Sequence, residues 1–372
     1  MISKSGSATL SDVAREAGVS LKTASRVLNN SPALLPATAA RVREAMDKLS
    51  YQPNEMARGL KAKRSGAIAM VLPNLADPFT AIAVQAVQEV ARQKNYVVIL
   101  AVSGGYEAIE VSELQAMARR QIDGILLVAA DSRKSNITPF LEKNVPVVVF
   151  DEPIRGEAVD SITVTNSKGA REATRHLLGH GYRRILAIGA RPNLFTCAER
   201  FAGYRSAMKS AGAKTTELAL QHENDLTPEA LSHFLTGPNP VQAILTLNWV
   251  CTMLTLRALN VLDKTIAKDV ALISFDDFEL ADMISPGLTV VRQPTRELGH
   301  QAAKILFERM EEKSKGAPRK IVLNTEFIIR GSCGCEDKKK VLPTGLVANT
   351  EKSKLPLSKG KNRKASATSS HK

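Results

Sequence analysis

Thr9-Leu-Ser-Asp-Val-Ala-Arg-Glu-Ala-Gly-Val-Ser-Leu-Lys-Thr-Ala-Ser-Arg-Val-Leu-Asn29 reads as two helices joined by a tight turn. Thr9 with Asp12 three residues on has capping-box spacing. Leu10, Val13, Ala14 and Ala17 then recur at helical spacing, and Gly18 is a C-cap that tolerates positive φ. Ser20 caps a second helix whose inner face is Ala24, Val27 and Leu28. Ala14 is small where the two helices must cross, and Val19 plugs the joint. The pattern has the shape of a helix-turn-helix; a three-helix protein-binding module is its plainer reading. A third helix opens at Pro36-Ala-Thr38, turns Ala39, Val42, Ala45, Met46 and Leu49 inward, and is broken by Tyr51-Gln-Pro53.

In a helix-turn-helix the N-terminal part of the second helix faces base edges. Lys22 could donate to guanine O6 or N7, Leu21 could touch a thymine methyl, and Arg26 lies one turn later on the same face. Ser20, Thr23, Ser25 and Asn29 suit phosphates, which set register and not sequence. The stretch Asn54-Glu-Met-Ala-Arg-Gly-Leu-Lys-Ala-Lys-Arg64 is too short for a stable isolated helix. Its basic residues Arg58, Lys61, Lys63 and Arg64 surround a single leucine, Leu60. That composition fits a flexible basic linker, or a segment that folds on DNA and wedges a leucine into the minor groove.

The charge distribution points the same way. The 372 residues carry a net charge of +14, of which residues 1–66 hold +6 and residues 336–372 hold +7, leaving +1 for the rest. A neutral body with two basic ends is expected when the ends meet a polyanion; a solvated C-terminal tail is the alternative. That tail is rich in Lys, Ser and Gly without periodicity and reads as disordered. The chain has 44% hydrophobic residues, enough for ordinary cores. Its longest apolar runs fall far short of the roughly 20 residues of a membrane helix. The first residues have no apolar signal region, and four cysteines in this length make no disulfide scaffold, so a cytoplasmic location is expected.

From Gly66 onward, apolar strands alternate with helical stretches. The expected strands are Ala67-Leu72, Tyr96-Ala101, Gly124-Val128 and Val147-Phe150, then Arg184-Ile188, Ala243-Thr246 and Val270-Ser274. The expected helices are Phe79-Lys94, Glu107-Arg120, Ser135-Lys143, Ser167-Gly179, Ala198-Ala211, Pro228-Leu235 and Val250-Leu259. A late helix Arg296-Met310 and a strand Ile321-Ile328 return to the body. Near-continuous apolar strands between helices mean parallel sheets covered on both faces. The fold class is therefore α/β: an all-α N-terminal domain followed by two doubly wound parallel-sheet lobes.

These motifs, in order and spacing, resemble the LacI family of bacterial repressors. The resemblance rests on the opening Thr9–Asn29 stretch, Tyr51-Gln-Pro-Asn-Glu-Met-Ala-Arg-Gly-Leu60, Pro73-Asn-Leu-Ala-Asp-Pro-Phe79 and Gly181-Tyr-Arg-Arg-Ile185. It continues in Glu199-Arg-Phe-Ala-Gly-Tyr204, Ile273-Ser-Phe-Asp-Asp277 and Leu288-Thr-Val-Val-Arg-Gln-Pro294, and covers about residues 8 to 332. It implies a helix-turn-helix domain over 8–53, a hinge helix over 54–65, a two-lobed effector-binding and dimerisation core of the periplasmic binding protein type over 66–335, and a basic tail over 336–372. Leu21, Lys22 and Arg26 then fall on base-reading positions. Ala57 and Leu60 fall on hinge positions that enter the minor groove, with Tyr51 and Asn54 counted among the DNA-contacting residues of the same stretch.

The family's ligand lies between the lobes, at the carboxyl ends of the parallel strands. Polar or aromatic residues that leave a strand end or open a helix there are Asp77, Phe79, Asp151, Thr196, Arg200, Asn248, Trp249 and Asp276. Asp276, Arg200 and Asn248 fall on the family's ligand positions. One departure is that Asn248 is followed by Trp249, the chain's single tryptophan, where the family commonly has Asp. Trp249 stays open between core residue and ligand platform.

The residues carry no dinucleotide, P-loop, nucleophile-elbow or zincin signature. His176 and His180 read as last-turn residues that favour the helix dipole, and Cys333-Gly-Cys335 as a pair too tight for a metal site without partners. No cofactor, metal or enzymatic activity is expected. The expected function is a sequence-specific transcription regulator, a repressor by resemblance, acting as a homodimer on a near-palindromic operator. A small-molecule effector, a sugar or sugar acid, would control it. Two rivals are weighed against this. A transporter's solute-binding protein would need a signal peptide and no helix-turn-helix. A sugar-converting enzyme would use Asp151 and Asp276.

Overall fold

The computed structural model describes residues 8–28, 34–51, 65–156, 158–312 and 316–336. Asn29, the hinge positions Asn54, Ala57 and Leu60, and the basic tail beyond 336 lie outside the described residues.

Three helices form the N-terminal module: α1 (Leu10–Glu16), α2 (Leu21–Leu28) and α3 (Pro36–Lys48). The capping box is present, with Asp12 N–H donating to Thr9 Oγ1 at 3.3 Å and Thr9 N–H donating to Asp12 Oδ2 at 3.0 Å. Gly18 has φ +61°, and Val19 N–H reaches back to Ala14 O at 2.9 Å, which turns the chain sharply into α2. Val13, Ala14, Ala17, Ala24, Val27, Val42 and Ala45 are buried together, the set that helical spacing selects.

The first lobe begins with β1 (Ala67–Leu72), α4 (Pro78–Gln93), β2 (Val97–Val102), α5 (Glu107–Arg119), β3 (Gly124–Leu127), the short α6 (Thr138–Leu141), β4 (Val147–Phe150) and β5 (Asp160–Val164). The second lobe is α7 (Asn166–Gly179), β6 (Ile185–Ala190), α8 (Phe195–Ser210), β7 (Thr216–Leu220), α9 (Pro228–Leu235), β8 (Ala243–Thr246), α10 (Trp249–Val261), β9 (Ala271–Phe275) and β10 (Thr289–Arg292). The chain then returns to the first lobe for α11 (Thr295–Glu312) and β11 (Lys320–Leu323), and ends in the second with β12 (Glu326–Ile328) and a 3-10 turn, Gly331–Cys333.

The first sheet has the order β11-β5-β4-β3-β1-β2 and is parallel throughout. The second has the order β12-β10-β9-β8-β6-β7, parallel except for β12 against β10. Apolar strands sandwiched between helices give each lobe its core: Ile68, Met70 and Leu72 pack against α4 and α11, while Ile185, Ala187 and Ile273 pack against α7 and α8. Helices α7 and α8 touch closely at Gly203, where an added Cβ would sit 2.1 Å from Ser167 O.

The chain thus crosses between lobes three times: after β5, after β10 and after β11. The first and third crossings are tied together, with Thr325 N–H donating to Thr165 Oγ1 at 3.0 Å and Thr165 N–H donating to Leu323 O at 2.9 Å.

Three features differ from the sequence expectation. The stretch Ile321-Ile328 is not one strand but the ends of β11 and β12, in different sheets, because the third crossing falls at Asn324-Thr325. Strands β5, β7 and β10 carry polar or charged residues, Asp160, Glu217 and Arg292 among them, which break the apolar run that marks a buried strand. The helix expected over Ser135-Lys143 shrinks to α6, because Asp131 holds the preceding residues in a turn, accepting Arg133 N–H at 2.8 Å. Among the described residues no helix is long and apolar enough to cross a membrane.

Candidate functional site

Helix α2 (LKTASRVL) contains no carboxylate, and it buries Ala24 and Val27 against its own module. Its other face is turned to solvent: Leu21 is 52% exposed, and Lys22 and Arg26 are exposed. An exposed leucine beside two cations at the start of a helix offers an apolar contact and two donors to a groove. Ser20 Oγ accepts from Thr23 N–H at 3.1 Å and bonds the Thr23 hydroxyl at 2.9 Å, so both residues first serve to start the helix. Ser25 is half-buried. Tyr51 is half-buried against the module's core, and its N–H donates to Met46 O at 2.9 Å, which ends α3.

Of the eight residues singled out in the two lobes, Asp77, Asp151 and Asp276 bring their carboxyl groups near Arg200, and Asp276 in turn binds the backbone of Trp249. Arg200 is 4% exposed, yet its charge is held from three sides: Nε donates to Asn166 Oδ1 at 2.8 Å, Nη1 donates to Leu247 O at 2.7 Å, and the guanidinium lies 3.8 Å from the centre of the Phe275 ring. Asp276, at the end of β9 with φ +82°, places Oδ2 4.0 Å from Arg200 Nη1. Its carboxylate also accepts from Trp249 N–H at 3.1 Å and from Gln293 Nε2 at 2.6 Å. Asn248 caps α10 by accepting Cys251 N–H at 2.8 Å, which places Trp249 on the helix's first turn, half-buried. From the first lobe, Asp77 caps α4 by accepting Phe79 N–H at 2.9 Å, and Phe79 is partly buried against that lobe's core. Asp151 follows β4 with φ +63°.

Glu152 joins the lobes. Its Oε2 accepts from Phe195 N–H at 2.8 Å and its Oε1 from Thr196 N–H at 3.0 Å and from the Thr196 hydroxyl, so a first-lobe carboxylate binds the N-terminus of α8. On one edge Arg191 Nη1 donates to Gly105 O at 2.8 Å, a second tie across the cleft.

The charge balance is uneven: four carboxyl groups, those of Asp77, Asp151, Glu152 and Asp276, lie near one arginine. Burial, then the charge of Asp276, pushes the Asp77 carboxyl up to about 7. Burial, then the neighbouring Glu152, pushes Asp151 up to about 7. Burial raises Glu152 as well, against the bonds from Thr196 and Phe195. Asp151 and Glu152, side by side and both raised, share protons as a pair. Three buried polar atoms here have no hydrogen-bond partner: Asp151 Oδ1, Asn166 Nδ2 and Gln293 Oε1. A buried polar atom without a partner costs about 1–3 kcal/mol. Two acceptors and a donor at one cleft form a set that hydroxyl groups can complete.

Glu152, Asn166 and Gln293 escaped the sequence reading. Glu152 stands beside Asp151, and Gln293 lies inside the Leu288–Pro294 motif, so position could have suggested both. Asn166 opens a helix after a strand, β5, that periodicity does not reveal.

Residues 9–54 match bacterial regulatory proteins of the lacI family, and residues 174–333 match the periplasmic binding protein-like domain. The HTH-type transcriptional repressor PurR of Photobacterium profundum is 30% identical over 329 residues, covering 87% of this chain and 98% of the relative. Among solved structures, the transcriptional regulator CelR–cellobiose complex is 28% identical, with TM-score 0.63, over 87% of this chain and 99% of that one. The lac repressor dimer bound to operator and the anti-inducer ONPF has the same fold, with TM-score 0.77 at 22% identity, over 88% of this chain and 99% of that one. An exposed cationic recognition helix, two periplasmic-binding-like lobes and these relatives agree: the chain belongs to the lacI family of bacterial transcription regulators.

Proposed function

We propose that this regulator is a repressor that reads its operator through Leu21, Lys22 and Arg26 and is controlled by a neutral, polyhydroxylated effector, a sugar, held between the lobes. The carrying observation is the trio of unpartnered buried atoms, Asp151 Oδ1, Asn166 Nδ2 and Gln293 Oε1, around the Arg200–Asp276 pair. Carboxylates and amides that converge in this way grip adjacent hydroxyls. Arg200 already serves Asn166 and Leu247 O with the Asp276 carboxylate 4.0 Å away, so the buried cation is engaged before a ligand arrives and favours a neutral sugar over an anionic sugar acid. The cellobiose complex of a relative supports a sugar as the class of ligand.

In this reading a homodimer sets two α2 helices in successive major grooves, which asks for a near-palindromic operator. Effector binding changes the angle between lobes, and operator and effector then alter each other's affinity by the same factor. Selection from random duplex DNA, with and without a panel of neutral sugars and sugar acids, tests this. The expected result is a near-palindromic consensus whose retention changes with one neutral sugar. No preference over bulk competitor DNA would overturn the operator reading. A response confined to anionic sugars would overturn the effector class.

A further inference from the structure

Two pairs of side chains far apart in the sequence meet on the second lobe, away from the cleft. His176 lies in the last turn of α7 and His180 is its C-cap, four residues on and on the same face. Cys333 ends the 3-10 turn after β12, and Cys335 follows one glycine later. His176 Nε2 stands 3.2 Å from Cys333 Sγ and 3.5 Å from Cys335 Sγ, while His180 Nε2 stands 3.2 Å from Cys335 Sγ and 3.2 Å from His176 Nε2. All four ligand atoms lie within 4.8 Å of one another.

A tetrahedral zinc ion with Zn–N of about 2.0–2.1 Å and Zn–S of about 2.3 Å separates its nitrogens by about 3.3 Å and a nitrogen from a sulfur by about 3.5 Å. The four close spacings fit that figure, and the widest in the cluster, 4.8 Å, needs a contraction of about 1 Å to close around an ion. The surroundings are also those of a built site. Thr289 Oγ1 donates to Cys333 Sγ at 3.2 Å, the Phe327 ring stands edge-on to His176 at 5.1 Å, and Tyr182 stacks on His180. Gly334, between the two cysteines, has φ +96°, and a Cβ there would sit 2.8 Å from Tyr182 Oη. Only glycine lets the chain fold tightly enough to aim both thiols at the imidazoles.

We propose that His176, His180, Cys333 and Cys335 form a closed Cys2His2 site for a divalent ion of borderline softness, zinc first. Two thiolates and two imidazoles exclude magnesium and calcium, which take oxygen ligands. The ion pins the closing turn of the core onto the C-terminal end of α7. The other end of that helix carries Asn166, the partner of Arg200. The site therefore fixes the helix that lines the cleft, independently of which ligand the cleft takes.

The test uses the reduced full-length chain, stripped of metal and titrated with cobalt(II), then with zinc. One equivalent of cobalt should bind with the ligand-field and thiolate charge-transfer bands of a tetrahedral S2N2 centre, zinc should displace it, and the melting temperature should rise. His180→Ala and Cys335→Ser, which change an exposed and a half-exposed side chain, should each weaken binding by about a hundredfold or more. The buried Cys197→Ser, outside the cluster, should leave the cobalt spectrum intact. Metal-free melting of the two ligand variants at the parent temperature shows that they fold. Absence of a tetrahedral spectrum in the parent chain would overturn the proposal. So would equal affinity in folded ligand variants, or a stable Cys333–Cys335 disulfide in thiol-containing buffer.

Discussion

Arg200 Nε donates to Asn166 Oδ1 at 2.8 Å, so the buried cation of the cleft is fixed to the first residue of α7, just past the chain's first crossing between lobes. A lysine would keep the charge but lose the fork that serves Asn166 and Leu247 O together and the stacking on Phe275. Arg200→Lys should lower stability by about 2 kcal/mol and effector affinity by about tenfold or more, while operator affinity without effector stays near the parent value. Urea denaturation and titration calorimetry would measure both. Parent-like effector binding would remove Arg200 from the site.

The raised carboxyl of Asp77 makes stability depend on pH. The fold keeps its proton up to about pH 7, whereas an ordinary aspartate releases it near 3.8. Across that window the folded state binds more protons, so stability falls as pH rises through it and levels off above. Asp77→Asn keeps a cap for Phe79 N–H and removes the titration. The variant should gain on the parent steadily between about pH 4 and pH 7, read from urea midpoints. A constant difference across that range would refute the assignment.

Lys22 is exposed and makes no contact with the core, so Lys22→Ala should leave the melting temperature unchanged. Operator affinity should fall by about 1–3 kcal/mol, with relaxed base preference at the position it reads. A uniform loss across all sequences, with a shallower salt dependence, would mean that it contacts phosphate instead.

Trp249 starts the helix whose first N–H groups bond Asp276 and Asn248. Closure on a sugar should shift its emission, and as the single tryptophan it reports the cleft alone. Unchanged emission at saturating effector would assign the indole to packing.

Gly203→Ala would drive a methyl into Ser167 O on the facing helix. The expected result is a loss of about 1–3 kcal/mol, from overpacking, together with weakened effector binding, because the α7–α8 contact also positions Asn166 and Arg200. Differential scanning calorimetry with and without effector would separate the two effects.

The three-helix module was legible almost residue by residue, since its core is Val, Ala and Leu at helical spacing and its start is marked by a Thr-x-x-Asp box. The first strands of each lobe were legible as uninterrupted apolar runs. Strands β5, β7 and β10 were not, because charged residues at their ends or edges hide a buried period. Asp151 and Asp276, which follow strand ends, and Asp77, which caps the helix after β1, could be placed from the sequence for the same reason that their strands could. Asn166 and Gln293 lie where the chain passes from one lobe to the other, and local pattern carries no trace of such long-range returns. The same limit hid the approach of His176 and His180 to Cys333 and Cys335, which depends on a closing turn more than 150 residues downstream.

The bond between Thr165 and Thr325 joins two of the three crossings side by side. Parallel spans of backbone joined side by side resist shear and torsion, and leave bending as the soft motion. If the lobes respond to a bound molecule as proposed, the natural motion is an opening or closing about this tie, much as a book moves on its spine.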